Sequence, residues 1–310
     1  MKPSPPPLLL VLGGINMDLL TYSPRFPQAG ETVVGTRFLT YAGGKGANQS
    51  VAAARMGAKA AMIGRVGDDL FGPQLIQGLR DSGVDVSGVG GSPGASSGIA
   101  VINIDASAQN RIIQVPGANH ACGEAELRQV MRRLPQASAL LLQLELPLEL
   151  TLAAAQAAHN QGKLVMLDPG PARPLPDSLY RCCDVITPNE TEAAALVGFP
   201  VGDLASAGRA AQVLLARGAR CAVIKLGRQG AWFATPNEQG HVPAFPVAAV
   251  DSVAAGDAFN GALAVLLAEG CSLSEALRWA AAAGALAVTK VGAQDSMPWR
   301  AEVAGLLGSQ

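Results

Sequence analysis

The chain has 310 residues, 49% of them hydrophobic, enough for one large core or a core with a small appendage. Lys and Arg number 23 against 24 Asp and Glu, a formal charge of -1, so no bulk field draws nucleic acid or an anionic membrane and any anion must be held locally. Five cysteines (Cys122, Cys182, Cys183, Cys221, Cys271) are odd in number and form no CxxC, which argues against a zinc site or disulfide scaffold and for a reducing, cytoplasmic setting.

After a proline-rich start, "LLLVL" predicts a buried strand over 8–14, and no apolar run approaches the roughly 20 residues of a membrane span. "GGINMDLL" ends that strand and sets Asn16 and Asp18 two residues apart, on one side of an extended chain. "ETVVGTRFLTYA" at 31–42 reads as β-hairpin material with no helix after it. "GGKGAN" then exposes glycine backbone beside Lys45 and Asn48 and opens a helix over 46–56. A strand at 60–66 and a helix at 71–81 follow, and a second hairpin-like stretch, "SSGIAVINIDASAQNRIIQVPG", covers 97–117. These two stretches make either a small flap or an antiparallel extension of the main sheet.

Helix 124–133 leads to a strand at 139–144, after which Glu145 stands at a strand end. Helix 149–161, strand 163–168 and strand 184–187 precede "TPNETEAAAL", where Asn189, Glu190 and Glu192 open a helix over 190–197. Acids in a first turn complement the helix dipole, and an Asn with a Glu there can also order water around Mg²⁺. Helix 205–217, strand 220–225, and helices 256–269, 273–290 and about 299–307 complete the chain. Short apolar strands alternating with longer helical stretches predict a parallel α/β sheet, with neither repeat nor linker to divide it.

GxxxxGK[ST] is absent, and the nearest dinucleotide-like match, "GKGANQ", carries Gln49 in place of its last glycine. The most informative stretch is "DSVAAGDAFNG" at 251–261. Ala254, Ala255 and Gly256 allow close backbone approach, and the N–H groups entering the helix can face a phosphate. Asp257 either caps its own helix or meets a hydroxyl arriving at that phosphate as a general base.

Together these segments, with "GRVGDD", "DPGPAR" and "GAQDSMPW", resemble the ribokinase branch of the carbohydrate and nucleoside kinases called the PfkB family, in order along nearly the whole chain. The resemblance implies a Rossmann-like, three-layer α/β/α fold as a single unit over 1–310. It also implies a small β-sheet lid within about 15–45 and 97–117 that pairs two subunits into a homodimer. It implies ATP-dependent phosphorylation of D-ribose at O5, with Asp257 as base and a backbone anion hole at 254–257.

By motif position, Asn16, Met17, Asp18, Gly44, Lys45, Gly46, Ala47, Asn48 and Glu145 are the implied sugar contacts. Asn189, the loop Lys225, Leu226, Gly227, Arg228, Gln229 and Gly230, then Gly256, Asp257 and Ala281 are implied on the nucleotide side. Glu192 is implied near Mg²⁺. Asp251, Val253, Ala287, Lys290, Gly292 and Ser296 are implied around K⁺, mostly through carbonyls. Three positions depart from the pattern: Lys225 stands where Thr is common, exchanging a hydroxyl contact for a charged one to phosphate. Ala281 stands where Asn or His often borders adenine, and Ser252 replaces Thr. Other readings are a deoxyribokinase or fructokinase, a silent sugar-binding regulator, or a dinucleotide oxidoreductase.

Overall fold

Every residue of Leu8–Leu12 (β1) is apolar, a composition that only a strand covered on both faces accommodates. Its side chains divide accordingly: Leu9 and Val11 enter one core, Leu10 and Leu12 the other. The structure is a computed structural model that describes residues 5–107 and 109–308. Residues 1–4, 108 and 309–310, part of the expected 1–310 unit and one position of the expected 97–117 hairpin, lie outside the described residues.

Beyond β1 come β2 (Asn16–Tyr22), β3 (Arg37–Gly43), α1 (Lys45–Arg55), β4 (Lys59–Gly67), α2 (Phe71–Asp81), β5 (Asp85–Ser92), β6 (Gly98–Ile104) and β7 (Asn110–Val115). Next are α3 (Glu124–Arg133), β8 (Ala139–Leu142), α4 (Leu148–Asn160), β9 (Leu164–Leu167), α5 (Asp177–Cys182), β10 (Val185–Ile186), α6 (Glu190–Val197) and α7 (Leu204–Ala216). The chain closes with β11 (Ala222–Lys225), β12 (Ala231–Ala234), β13 (Gln239–Val242), α8 (Ala255–Ala268), α9 (Leu273–Ala287) and α10 (Arg300–Gly308).

Among the described residues the main sheet runs β13-β12-β11-β10-β9-β8-β1-β4-β5. It is parallel from β11 to β5 and turns antiparallel at β12 and β13. Val51, Leu75, Leu263, Leu277 and Val303, from α1, α2, α8, α9 and α10, fill the core on one face. Val130, Ala154, Leu179, Ala193 and Ala210, from α3 to α7, fill the core on the other. Three layers result, as the resemblance implied.

The two hairpin-like stretches join in a separate sheet of order β3-β2-β6-β7, where β2 runs antiparallel to β3 and parallel to β6. They form a flap. The antiparallel extension of the main sheet is real too, but residues 231–242 build it. Periodicity missed β5, β12, β13 and α5: "DVSGVGGS" is glycine-rich, and the others span only four to six residues. The helix expected over 273–290 stops at Ala287, because Thr289 and Lys290 donate back to the carbonyls of Leu286 and Ala287 in a tight turn.

Because β1, β8, β9, β10 and β11 are parallel, their carboxyl ends open on one edge of the sheet. Gly13, Gln143, Asp168, Asn189 and Lys225 sit there, at the crevice where such sheets hold ligands.

Candidate active site

At the end of β1 the backbone passes very close to α1: a Cβ built on Gly13 would lie 2.7 Å from the Gly46 Cα. Gly44, the residue before α1, has φ 91°, in the left-handed region that favours glycine. This turn delivers Lys45 and Asn48 to the crevice while Ala47 packs into the core.

Asn16 opens β2, and its Nδ2 donates to Glu145 Oε1 at 3.0 Å while its Oδ1 accepts from Asn119 Nδ2 at 2.7 Å. Asn119 Oδ1 in turn accepts the Ile15 N–H at 3.0 Å, locking the approach to the strand. Glu145 also accepts the Lys45 N–H at 2.8 Å and Gln114 Nε2, from the flap strand β7, at 3.3 Å. Alternation turns Met17 into the core and leaves Asp18 beside Asn16, so Met17 can offer a ligand only backbone.

Burial, then the charges of Glu145 and Asp257, pushes Asp18 up to about 7. Burial likewise raises Glu145 to about 7, against the pull of Lys45 and its hydrogen bonds. Both carboxyls therefore titrate near neutrality.

Asp257 is buried in the first turn of α8, and no side chain caps this helix at Ala254. Ala254 itself has φ 59°, a strained conformation for a residue with a Cβ. Asp257 Oδ2 accepts Asn48 Nδ2 at 2.9 Å and Oδ1 accepts Gln49 Nε2 at 3.0 Å. Burial raises its pKa, with Lys45 opposing and Asp168 adding to the rise. The buried Asn48 Oδ1 has no protein partner, an acceptor suited to a ligand hydroxyl.

Asp168, at the end of β9, joins the two halves of the site. Its Oδ2 accepts from Lys45 Nζ and from Gln49 Nε2, both at 3.0 Å, and its Oδ1 accepts from Lys225 Nζ at 3.2 Å. Although burial works against ionisation, the two ammonium groups hold its pKa below the ordinary value. Burial also works against the charge on Lys45, yet Asp168, Asp257 and Glu192 carry its pKa well above the usual lysine value. Gln143 Nε2 fixes Gln49 from behind, donating to its Oε1 at 2.7 Å.

On the nucleotide side, Asn189 caps α6 by accepting the Glu192 N–H at 2.8 Å, and Glu192 Oε2 accepts the Asn189 N–H at 2.9 Å. Glu192 Oε1 receives Lys45 Nζ at 3.3 Å. A lone parallel bridge joins Asn189 to Lys225. The following loop turns through Gly227 and Gly230, with Leu226 buried in the core, Arg228 exposed, and Gln229 Nε2 bonded to the Gly202 carbonyl at 2.8 Å. A Cβ built on Gly256 would lie 3.2 Å from Lys225 Nζ, so this amine stands at the start of α8. Ala281 lies half-buried on α9 against the core.

Residues 250–253 and 287–296 meet in one place. The N–H groups of Val250 and Asp251 both reach the Val288 carbonyl, and Asp251 accepts the N–H of Val253 at 3.0 Å and of Gly292 at 3.1 Å. Ser296 is buried and donates to the Ala293 carbonyl at 2.8 Å. Lys290 turns its ammonium to Glu302 at 2.8 Å and donates its N–H to the Ala287 carbonyl at 3.2 Å.

The structure thus gathers Asn16, Asp18, Lys45, Asn48, Glu145 and Asp257 into one polar crevice and sets Asn189, Lys225, Gly256 and Glu192 beside it. Reading by sequence missed Asp168, Gln49, Gln143 and Asn119 as site residues. Asp168 was visible only as the first residue of "DPGPAR", and Gln49 only as a defect in a glycine motif.

The chain matches the pfkB family carbohydrate kinase profile over residues 7–300. It is 41% identical over 294 residues to the ribokinase of Haemophilus influenzae, covering 95% of this chain and 96% of that one. It is 36% identical over 291 residues to the deoxyribokinase of Salmonella typhimurium, covering 94% and 95%. The structure of Arabidopsis thaliana ribokinase complexed with ribose and ATP superposes with a TM-score of 0.90 at 34% identity, covering 98% of this chain and 99% of that one.

Proposed function

This chain belongs to the pfkB family of carbohydrate kinases, and from that premise we propose that it uses ATP to phosphorylate D-ribose at O5, giving D-ribose 5-phosphate. One observation carries the reading: a buried carboxylate, Asp257, lies in the first turn of a helix without a side-chain cap, between a polar pocket and two lysines. A helix start and two amines hold an anion, and the carboxylate takes a proton from the hydroxyl that attacks it.

Asn16, Asp18, Asn48 and Glu145 hold the sugar hydroxyls, with Asn16 and Asp18 reading the vicinal pair. Gly44, Gly46 and Ala47 shape the turn, and Lys45 spans from Glu145 to Asp168. Asp257 accepts the O5 proton. The N–H groups of Ala255 and Asp257 turn to the Ser252 and Ala254 carbonyls, so of the anion hole expected over 254–257 those of Ala254 and Gly256, with the lysine amines, meet charge that develops on the transferred group. Asn189 and the loop from Lys225 to Gly230 receive the nucleotide, with Ala281 bordering the base.

Two cations belong to the reading. Both Glu192 oxygens are already engaged, which suits Mg²⁺ held through water, and the ion would neutralise phosphate charge. Around the junction of Asp251, Val253, Ala287, Lys290, Gly292 and Ser296, backbone carbonyls are the ligands for K⁺ behind the anion hole, since both Asp251 carboxylate oxygens already accept N–H groups. The flap shows solvent an apolar face including Phe38, Ile113 and Val115, and a second copy of this chain covers it. Free cysteines and the absence, among the described residues, of a helix able to cross a membrane fit a cytoplasmic enzyme.

A coupled ADP-release assay over ribose, 2-deoxyribose, fructose and adenosine, with and without K⁺, tests this. Ribose is expected to give the highest kcat/KM, with lower rates when K⁺ is omitted. Each buried hydrogen-bonding group left unpaired costs about 1–3 kcal/mol, so 2-deoxyribose should lose roughly 5- to 150-fold. Equal or better turnover of 2-deoxyribose overturns the ribose assignment.

A further inference from the structure

Asp168 is a buried acid in a site that must receive a polyphosphate, and its carboxylate meets the rest of the site through Lys45, Gln49 and Lys225. Its two oxygens are divided: one takes Lys45 and Gln49, which lead to the sugar side, and the other takes Lys225, which leads to the nucleotide side. Lys225 keeps little exposure, 12% of its side chain, and stands next to Gly256 at the opening of α8.

An ammonium has three donors, so Lys225 can hold Asp168 with one and give the others to phosphate oxygens. Left without Asp168, two neighbouring amines would repel each other and lose this placement. Held there, at the end of β11, Lys225 presents its amine to the anion-receptive start of α8.

With Lys225 at the phosphate chain, as its place in the nucleotide loop implies, we propose that Asp168 is the positioning residue that aims its ammonium at the terminal phosphates of ATP. This rests on the kinase reading above and adds to it a residue, Asp168, and a division of labour within the nucleotide site. Lys225 recognises the phosphate chain, with Asn189 bridged beside it, while Ala281 borders the base.

The test is calorimetric titration of AMP, ADP and a non-hydrolysable ATP analogue into the full chain, wild type and variants, with Mg²⁺ present throughout. Lys225→Met is expected to weaken ADP and the analogue by about 10- to 100-fold, the span of a hydrogen bond to a charged group, with AMP within about 2-fold of wild type. Lys225→Arg should recover most of the analogue affinity. Asp168→Asn should weaken the analogue, and its added cost should shrink in a Lys225→Met background, leaving only the part that runs through Lys45 and Gln49.

Equal losses for AMP, ADP and analogue, or no loss, overturn the assignment of Lys225. Additive losses in the double variant overturn the role of Asp168. Should Asp168→Asn fail to fold, the comparison of AMP, ADP and analogue on Lys225→Met and Lys225→Arg still decides the first half. A wild type that binds the analogue but phosphorylates no sugar would sink the kinase reading and leave this result standing.

Discussion

Replacing Asp257 by Asn separates chemistry from architecture unusually well, because the neighbours can accept the change. Gln49 cannot turn: its Nε2 serves Asp257 and Asp168, and its Oε1 receives Gln143. The new amide must therefore present its oxygen to Gln49 and its NH₂ to Asn48. Asn48 can flip, since its buried Oδ1 has no protein partner and gains one by turning. The flip carries Asn48 Nδ2 into the place where its Oδ1 had no protein partner, so one buried amide donor is left unpaired, a cost of about 1–3 kcal/mol, and the penalty for burying a carboxylate, seen in the raised pKa of Asp257, disappears and offsets it.

Stability is thus expected to change little at pH 8, while kcat falls by about two to four decades for the lost base, roughly 2.7–5.4 kcal/mol of activation free energy. The measurements are steady-state ADP release at saturating ribose and ATP, a thermal melt, and ADP titration. Because the pKa of Asp257 is raised, the wild-type rate should be lost as pH falls through a value above the usual carboxylate range, and the Asp257→Asn variant should lack that acid limb. A kcat within tenfold of wild type removes Asp257 from the mechanism. A collapsed melting temperature or lost ADP binding would make its role structural.

Asp18→Asn tests the electrostatics of the sugar pocket. Its carboxyl binds a proton at about 7 when folded against 3.8 as its ordinary value, so the fold is penalised as pH rises from about 4 to about 7. The Asn variant should be more stable than wild type at pH 8, by about 2–4 kcal/mol at most, and equal to it near pH 4, with kcat/KM for ribose sharply reduced; a pH-independent difference in melting temperature refutes the shift. Ile113→Glu places a charge on the exposed apolar face of β7, and sedimentation should show a dimeric wild type and a monomeric variant. A variant that stays dimeric moves the interface off the flap.

The alternation of strands and helices was legible because periodicity is local: α2, α3 and α6 begin and end where the pattern puts them. So was the first-turn position of Asp257, set by the small residues before it. The flap strands were legible as strands, while their assembly into a separate sheet rather than an edge was left open. Strands as short or glycine-rich as β5 and β12 carry too little periodicity to read.

The amino-acid order by itself determined the element types, the anion-receptive helix start and the list of strand-end acids. Only tertiary structure decided which of those acids meet. Asp168 joins Lys45 from 123 residues away, Gln49 from 119 and Lys225 from 57. Nothing local distinguishes it from a solvated acid at a strand end. Its role follows from strand order: with β9 central and β11 two strands over, the parallel carboxyl ends bring these side chains to one carboxylate, and no periodicity within a segment encodes that neighbourhood.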